Sequence, residues 1–261
     1  MKYTKFDFGR DINWDNVSRA YAEYRQGYPT SFYDQLYSLG IGLSNQRILD
    51  LGTGTGELAI NFAKRGANVT AIDVSESQIM QAQRLAKEAN VAIKFFVSSC
   101  EDMPLTEESC FDIVSASLCW TYFNEQKVYP QIKRLLVNDG KLFVSYLLWL
   151  ADDPIVSITE EIILKYNKLW TGGGFVGDYK EFDNWDSTRY NVLTKHDYRI
   201  NQTYSLPQWI GRILSHRAVG GSLSKEDSLQ LVNELENSLK RFSEPFSIAH
   251  IIFYHVISLK S

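Results

Sequence analysis

Two hydrophobic rhythms alternate through the first 150 residues of this chain. Short apolar runs predict buried strands, because parallel strands covered on both faces carry few polar residues. These runs are residues 48–51, 69–73, 91–97, 111–117 and 141–148. Between the runs, apolar residues such as Leu58 and Phe62 recur at helical spacing. The alternation predicts an α/β fold with a doubly wound, Rossmann-like sheet.

The flanking segments follow other patterns. Residues 14–43 predict two helices, and Thr30 or Ser31 is expected to cap the second. Asn138-Asp139-Gly140 is expected to end a helix before the fifth strand. From 149 to 204 the α/β rhythm stops and aromatic residues gather, which predicts an insertion that forms a helical, aromatic lid. We therefore divide the chain into a helical cap (1–45), a ligand-binding core (46–148), a lid (149–204), and C-terminal helices with a final strand (205–261).

Three glycines at alternate positions, Gly52, Gly54 and Gly56, separate the first strand from the next helix. Glycine adopts backbone angles that clash with a side chain, and it lets a ligand approach the main chain closely. The N-terminus of the following helix presents unpaired N–H groups and a partial positive charge. A strand, a glycine turn and a helix start together predict a nucleotide-type pocket.

The spacing of these glycines leaves two ligand classes open. A dinucleotide site requires G-x-G-x-x-G or G-x-G-x-x-A. The register from Gly52 fails at Glu57, whereas the register from Gly54 ends on Ala59 and keeps an NAD-type oxidoreductase as an alternative. Asp73 ends the second strand about 20 residues later, where a carboxylate accepts both ribose hydroxyls. Asp73 therefore supports a ligand that contains adenosine, and it does not distinguish a dinucleotide from another adenosine compound.

The segment Asp50-Leu51-Gly52-Thr53-Gly54-Thr55-Gly56 resembles motif I of the class I methyltransferases that use S-adenosyl-L-methionine. The resemblance implies that the acidic residue steers the amino group of the cofactor and that the glycine turn passes beneath it. It also implies a C-terminal strand that closes the sheet antiparallel. The cofactor-binding residues implied for this region are Asp50, Gly52, Thr53, Gly54, Gly56, Asp73 and Val74, with Val74 placed against the adenine.

Two further segments carry the same resemblance. Residues 21–29 look like the Y-x-x-Y-R-x-x-Y-P entry segment of small-molecule methyltransferases. This implies a cap in which Arg25 pairs with the cofactor carboxylate and Tyr21 or Tyr24 lines the pocket.

Residues 98–105 resemble the segment G-D-A-E-x-L-P-F, which reads the adenine edge. Ser99 stands where the family usually has Asp, so the contacts implied here fall to Ser99, Cys100 and Glu101. Ser117, at the end of the fourth strand, completes the implied cofactor set.

Candidate catalytic residues are few. The sequence A-S-L-C-W after the fourth strand looks like the loop of small-molecule carboxyl-, C- and O-methyltransferases, and the indole face of Trp120 is suited to a cationic sulfonium. His216 is the candidate general base. The scarcity of candidate bases favours an acceptor that is already anionic, such as a carboxylate. A methyltransferase-fold module that binds the cofactor without chemistry is a further alternative.

Composition and charge limit the classes of partner that we expect this protein to bind. The 261 residues carry a net charge of −4, which gives no general attraction to nucleic acid or to anionic membranes. No apolar run approaches the roughly 20 residues that span a bilayer, and residues 1–10 lack the apolar segment of a signal peptide. The three cysteines show no C-x-x-C spacing, so no metal site is predicted. We expect a cytoplasmic protein with a small-molecule substrate and no nucleic-acid or membrane partner.

Overall fold

A computed structural model describes residues 7–9, 12–180 and 182–260. Of residues 1–10, for which the sequence predicts no signal peptide, residues 1–6 and 10 lie outside the described part. The helices within the described part are α1 (Ser18–Tyr24), α2 (Thr30–Ser38), α3 (Glu57–Lys64), α4 (Glu76–Glu88), α5 (Glu125–Leu135), α6 (Pro154–Tyr166), α7 (Leu206–Leu214) and α8 (Lys225–Leu239). The strands are β1 (Arg47–Leu51), β2 (Asn68–Asp73), β3 (Ile93–Val97), β4 (Phe111–Ser117), β5 (Leu136–Trp149), β6 (Tyr190–Tyr204) and β7 (Phe246–Leu259).

These strands form one seven-stranded sheet in the order β3-β2-β1-β4-β5-β7-β6. The first five pair in parallel, with Ile48 of β1 opposite Val69 of β2 and Ile113 of β4. The sheet is mostly parallel with an antiparallel C-terminal strand, so the predicted Rossmann-like fold is confirmed. Strand β7 lies between β5 and β6.

The order of the strands reverses direction between β1 and β4. The chain winds outward from β1 through β2 to β3, and then returns to the other side of β1 for β4. In open α/β sheets, ligands bind at the carboxyl ends of the strands where the order reverses in this way. Asp50 of β1 and Ser115 of β4 are paired across this switch point. The topology therefore selects the neighbourhood of the glycine turn as the candidate site.

The apolar residues of β1 and α3 are buried as their spacing in the sequence predicts. The β1 positions Ile48, Leu49 and Leu51 are fully buried, as expected of a strand covered on both faces. Helix α3 buries one face against the sheet, and the Phe62 ring meets the Tyr33 ring edge-on with their centroids 6.4 Å apart. Burying each such side chain stabilises the fold by about 1.5–3 kcal/mol.

Two local expectations are wrong. Thr30 is the first residue of α2, which begins after Pro29 without a side-chain cap. Helix α5 ends at Leu135, and Asn138-Asp139-Gly140 lies inside β5. The pairing jumps from Phe111 opposite Leu136 to Ile113 opposite Lys141, so the Asn138-Asp139-Gly140 segment forms a bulge.

The chain also divides into two compact units. The glycine-turn unit comprises Gly27–Tyr146, Tyr179–Asp197 and Phe253–Ser261; the helical unit comprises Met1–Gln26, Leu147–Asp178 and Tyr198–Ile252. Strands β5, β6 and β7 each run through both. Within the predicted lid, residues 149–204, the structure has the helix α6 and the 15-residue strand β6.

The helical unit has its own hydrophobic core. Trp209 of α7 is completely buried, and its Nε1 donates a hydrogen bond to Thr159 Oγ1 of α6 (3.0 Å). The Ser205 hydroxyl accepts from the Gln208 N–H while the Gln208 side chain accepts from the Ser205 N–H, a capping box that fixes the start of α7. Gly211 lies against the Tyr24 ring, where a Cβ atom would overlap it. A glycine there lets α1 and α7 approach closely.

Candidate functional site

The glycine turn lies at the carboxyl end of β1 in the glycine-turn unit. Gly52, Gly54 and Gly56 have φ angles of 59°, 55° and 87°, a left-handed region that residues with a Cβ rarely adopt. Thr53 anchors the turn to the next strand, because its N–H donates to the Ile72 carbonyl (2.9 Å). Three left-handed residues within five positions turn the main chain sharply at the carboxyl end of β1, where the strand order reverses.

The two sides of the turn have different surroundings. A Cβ atom on Gly52 would lie 2.9 Å from Cβ and Sγ of Cys119, so this position is closed by packing. A Cβ atom on Gly54 would meet nothing nearer than Gln78 Oε1 at 4.0 Å. The main chain at Gly54 is therefore bare and faces open space, as a ligand cradle requires.

Asp73, at the end of β2, holds this cradle in place. Its Oδ2 accepts from the Gly54 N–H (2.8 Å), and its Oδ1 accepts from the Ser75 N–H (2.9 Å) at the start of α4. A carboxylate at the end of the second strand is also the group that accepts ribose hydroxyls in adenosine-binding sites. Val74, beside it, is 40% exposed, as an apolar surface for a ligand requires.

Asp50 is the most perturbed acid of the turn. Its side chain is 2% exposed, and the Ser115 hydroxyl donates to its Oδ1 (2.7 Å) across the switch point. Burial raises the pKa of Asp50 to about 6, although the hydrogen bond from Ser115 opposes the rise. A buried carboxylate without a cation partner is stabilised when a positively charged ligand group binds beside it.

The loop after β3 lies against the turn through Cys100. Burial raises the pKa of the Cys100 thiol well above its usual range, the Asp73 carboxylate adds to the rise, and the Gly52 N–H opposes it. Glu101 points its Oε1 to the N–H of Asn124 (2.9 Å), so it caps the start of α5. Ser99 accepts through its carbonyl from Asp102 N–H (3.2 Å). Adenine contacts by Ser99, Cys100 and Glu101 stay predictions.

Tyr28 is a residue of this region that the sequence did not single out. Its hydroxyl lies 2.8 Å from Ser117 Oγ and donates to Ser145 Oγ (3.1 Å), which joins the carboxyl ends of β4 and β5. The ring stacks on Phe32 with centroids 4.0 Å apart. The sequence signal was present in the Tyr28-Pro29 pair of the entry segment, but the serine partners become evident only in the folded sheet.

Glu57 was also missed. It opens α3, and its Oε1 accepts from the Tyr33 hydroxyl (2.7 Å) and the Tyr28 N–H (3.2 Å). Burial raises the pKa of Glu57, while these hydrogen bonds oppose the rise. The signal was a charged residue at the first position of an apolar helix. Glu57 fixes the entry segment to the glycine turn.

Trp120 follows β4 within a short 3₁₀ turn, Trp120–Tyr122. Its ring packs against Phe123, Trp185 and Tyr190, with centroids 5.9, 5.4 and 6.3 Å away. These contacts fix the orientation of the indole. Its contact with a substrate stays a prediction.

Four predicted site residues, Tyr21, Tyr24, Arg25 and His216, belong to the helical unit. The Arg25 guanidinium stacks over the Tyr21 ring at 4.3 Å. The His216 ring stacks on Trp149 at 5.2 Å, and burial, followed by the charge of Arg25, lowers its pKa well below the ordinary range. His216 is therefore a neutral imidazole at pH 7. The assignments of these four residues to cofactor and catalysis stay predictions.

Two properties of the described residues concern metal ions and membranes as partners. Among residues 7–9, 12–180 and 182–260, no cluster of three or more His, Cys, Asp and Glu side chains has the arrangement of a metal site. Within the same part of the chain, none of the helices combines the length and the hydropathy needed to cross a bilayer.

Residues 48–140 match the family model of a methyltransferase domain. A ubiquinone biosynthesis O-methyltransferase of Actinobacillus pleuropneumoniae is 30% identical over 138 residues, which cover 51% of this chain and 59% of that protein. An uncharacterized methyltransferase of Mycobacterium tuberculosis is 29% identical over 151 residues, 58% of this chain and 57% of the relative. The chain spans about half the length of the curated relatives it matches.

Solved structures agree on the fold. An S-adenosylmethionine-dependent methyltransferase of Thiobacillus denitrificans, determined with S-adenosyl-L-homocysteine, superposes with a TM-score of 0.56 at 16% identity. The match covers 96% of this chain and all of that one. A protein of Anaeromyxobacter dehalogenans gives a TM-score of 0.63 at 16% identity, over 89% of this chain and 97% of the other. The glycine turn of this chain thus lies within the residues that match the family model of a methyltransferase domain.

Proposed function

We propose, because this chain carries a class I S-adenosylmethionine-dependent methyltransferase domain, that it is an enzyme that methylates a small-molecule acceptor. The single observation that carries the proposal is the bare main chain at Gly54, held by Asp73 at the switch point of the sheet. S-adenosyl-L-methionine, when bound, supplies an activated sulfonium methyl group that an acceptor atom attacks in line. We include a cytoplasmic location and the lack of nucleic-acid and membrane partners in this proposal.

The residues of the glycine-turn unit fit this cofactor. Gly54 gives the ligand access to the backbone, and Asp73 is a carboxylate at the position suited to ribose hydroxyls. Asp50, ionised at neutral pH with its pKa near 6, is suited to an ammonium group. Each of these properties matches one polar part of an adenosyl amino acid.

The NAD alternative is disfavoured by Glu57. A dinucleotide pyrophosphate binds at the N-terminus of the helix that follows the glycine turn. In this chain the first residue of that helix is Glu57, a half-buried carboxylate fixed there by Tyr33 and Tyr28. The negative charge of this carboxylate repels a pyrophosphate, whereas an adenosyl amino acid contains no phosphate group.

A carboxylate is the acceptor class that we favour. An anionic oxygen attacks the methyl carbon directly, so the enzyme has to align the reactants and exclude water without removing a proton. The neutral state of His216 is compatible with a base as well, so a protonated acceptor is the competing possibility. Methyl transfer to carboxylates yields a base-labile methyl ester, which distinguishes the two by mild alkali treatment of the labelled product.

The test is calorimetric titration of the full chain with S-adenosyl-L-homocysteine and, separately, with NADH. We expect the homocysteine compound to bind and Gly54→Arg to weaken that binding at least 100-fold, because the new side chain fills the open cradle. Gly40→Arg is the matched control: Gly40 also has a left-handed φ, 76°, and nothing within 4 Å of an added Cβ. Unchanged affinity in Gly54→Arg, or binding of NADH alone, would overturn the proposal. Label transfer from methyl-labelled cofactor to a metabolite mixture separates the enzyme from a non-catalytic module.

A further inference from the structure

Arg212, in helix α7 of the helical unit, is a buried cation without an anion partner. Its side chain is 7% exposed, and its guanidinium carbon lies 4.8 Å over the Trp149 ring. Nη1 is buried and makes no hydrogen bond to any described residue. The Tyr204 side chain supplies a neutral hydrogen-bond partner to the guanidinium. A buried charge is costly unless it is paired with an opposite charge and fully hydrogen-bonded, so the lack of an anion at Arg212 requires an explanation.

Arg25, whose charge lowers the pKa of Arg212, is likewise held by neutral groups. Its Nε donates to Ser215 Oγ (2.9 Å), and its Nη2 donates to the Ser215 carbonyl (3.4 Å). Within the described ranges, no carboxylate forms an ion pair with Arg25 or Arg212.

The carboxylates of this region have other partners. Asp7 pairs with Arg217, and Glu160 Oε1 accepts from Trp149 Nε1 (2.9 Å). Neither of these carboxylates forms an ion pair with Arg25 or Arg212.

Neighbouring groups respond to the charges of Arg25 and Arg212. The pKa of Arg212 falls to about 9, chiefly through burial and then through the charge of Arg25. The pKa of His216 falls through burial and then through the charges of Arg25 and Arg212. The Arg212 guanidinium and the His216 imidazole thus both experience nearby positive charge, which a bound anion would neutralise.

We propose that Arg212 is the centre of a binding site, within the helical unit, for the oxyanion group of a small molecule other than the cofactor. The guanidinium is a planar fork of donors that matches a carboxylate or a phosphate. Trp149 supplies an aromatic wall, and Tyr21, Arg25 and His216, in the same unit, are partly exposed. The site stands independently of the proposed methyl transfer.

The first experiment measures anion binding to the full chain by calorimetry. Succinate represents a carboxylate ligand and inorganic phosphate a phosphate ligand, each against sodium chloride at equal ionic strength. We expect one of them to bind the wild type and to bind Arg212→Met at least tenfold more weakly, with Arg212→Lys between them because lysine keeps the charge without the fork. Arg84→Met, which removes an exposed arginine paired with Glu88, is the control and should bind as the wild type does.

Three results overturn the proposal: neither anion binds the wild type, Arg212→Met binds as tightly as the wild type, or Arg84→Met loses as much as Arg212→Met. Titration with S-adenosyl-L-homocysteine provides a further arm. Unchanged affinity in Arg212→Met supports a separate ligand, whereas a tenfold loss assigns the anion to the carboxylate of the cofactor and overturns the proposal. Failure of the glycine-turn site appears instead in the Gly54→Arg comparison, so the two proposals fail independently.

A stability measurement distinguishes a ligand-binding arginine from a structural one. In anion-free buffer, Arg212→Met should raise the urea midpoint, because methionine fills the same space without an unpaired buried charge. Succinate or phosphate should raise the midpoint of the wild type and leave that of Arg212→Met unchanged, since only a binding-competent native state gains from ligand. A lower midpoint in Arg212→Met, with no anion-dependent rise in the wild type, would show a structural role and refute the site.

Discussion

Asp50 gives the sharpest quantitative prediction, because its environment opposes its charge in the ligand-free protein. Burial raises its pKa from 3.8 to about 6. A tenfold change in an ionisation equilibrium corresponds to about 1.4 kcal/mol, so this difference amounts to about 3 kcal/mol. The folded protein binds the Asp50 proton more tightly than the unfolded chain does. Its contribution to stability is therefore fully present below about pH 4 and is lost as the pH rises through 6.

Asp50→Asn removes this dependence while it keeps the acceptor for the Ser115 hydroxyl. The free energy of unfolding of the variant, minus that of the wild type, should increase by about 2.5 kcal/mol between pH 4 and pH 7.5. Urea denaturation at several pH values measures it directly. Asp112→Asn is the control, because Arg47 lowers the pKa of the partly exposed Asp112. For this variant the same difference in the free energy of unfolding should decrease as the pH rises.

The same variant tests the role of the charge in binding. Affinity for S-adenosyl-L-homocysteine should fall strongly in Asp50→Asn, and in the wild type it should decline as the pH drops below about 6, where Asp50 takes up a proton. A stability difference that stays flat with pH would refute the argument about burial. Undiminished affinity in Asp50→Asn would refute the argument about the ammonium group.

Three further predictions follow from packing. Gly52→Ala should destabilise the protein by about 1–3 kcal/mol in urea denaturation, because it adds a Cβ at a φ of 59° and 2.9 Å from Cys119; wild-type stability would contradict this. Gly211→Ala should cost a similar amount by forcing α7 from the tyrosine ring of α1, and an unaltered urea midpoint would show that the helices adjust freely. Iodoacetamide at pH 8 should alkylate Cys110 before Cys100, whose burial raises its thiol pKa well above the ordinary range; peptide mass spectrometry gives the order, and faster labelling of Cys100 would disprove the burial.

Local signals explain why much of the fold was predictable. The strand that carries Asp50, the glycine turn and the strand that ends at Asp73 each depend on residues close in sequence, and the sheet brings them together at one edge. The capping serine of α4, Ser75, is a signal of the same kind, since its hydroxyl accepts from the Gln78 N–H (3.1 Å). Where neighbouring residues determine the conformation, the sequence pattern predicts it.

The errors occur where the conformation depends on distant partners. Strand β6 is exposed at most of its positions and lies at the edge of the sheet, so it has no apolar alternation to reveal it. The segment Asn138-Asp139-Gly140 has turn composition, yet its pairing with β4 makes it a bulge. Tyr28 and Glu57 are polar residues that depend on distant hydrogen-bond partners: Tyr28 and Glu57 are 29 positions apart, and Ser145 is 117 positions from Tyr28.

Buried ionisable groups connect the two proposals. Asp50 and Arg212 each place a charge in a buried environment without a countercharge among the described residues, and each raises the free energy of the ligand-free fold. Selection for stability alone favours replacing such groups by apolar ones of similar size. An acid beside an open glycine turn is compensated by a cationic ligand group, and a buried guanidinium is compensated by an anionic one. The sign of each uncompensated charge therefore specifies the charge of the ligand that its site accepts.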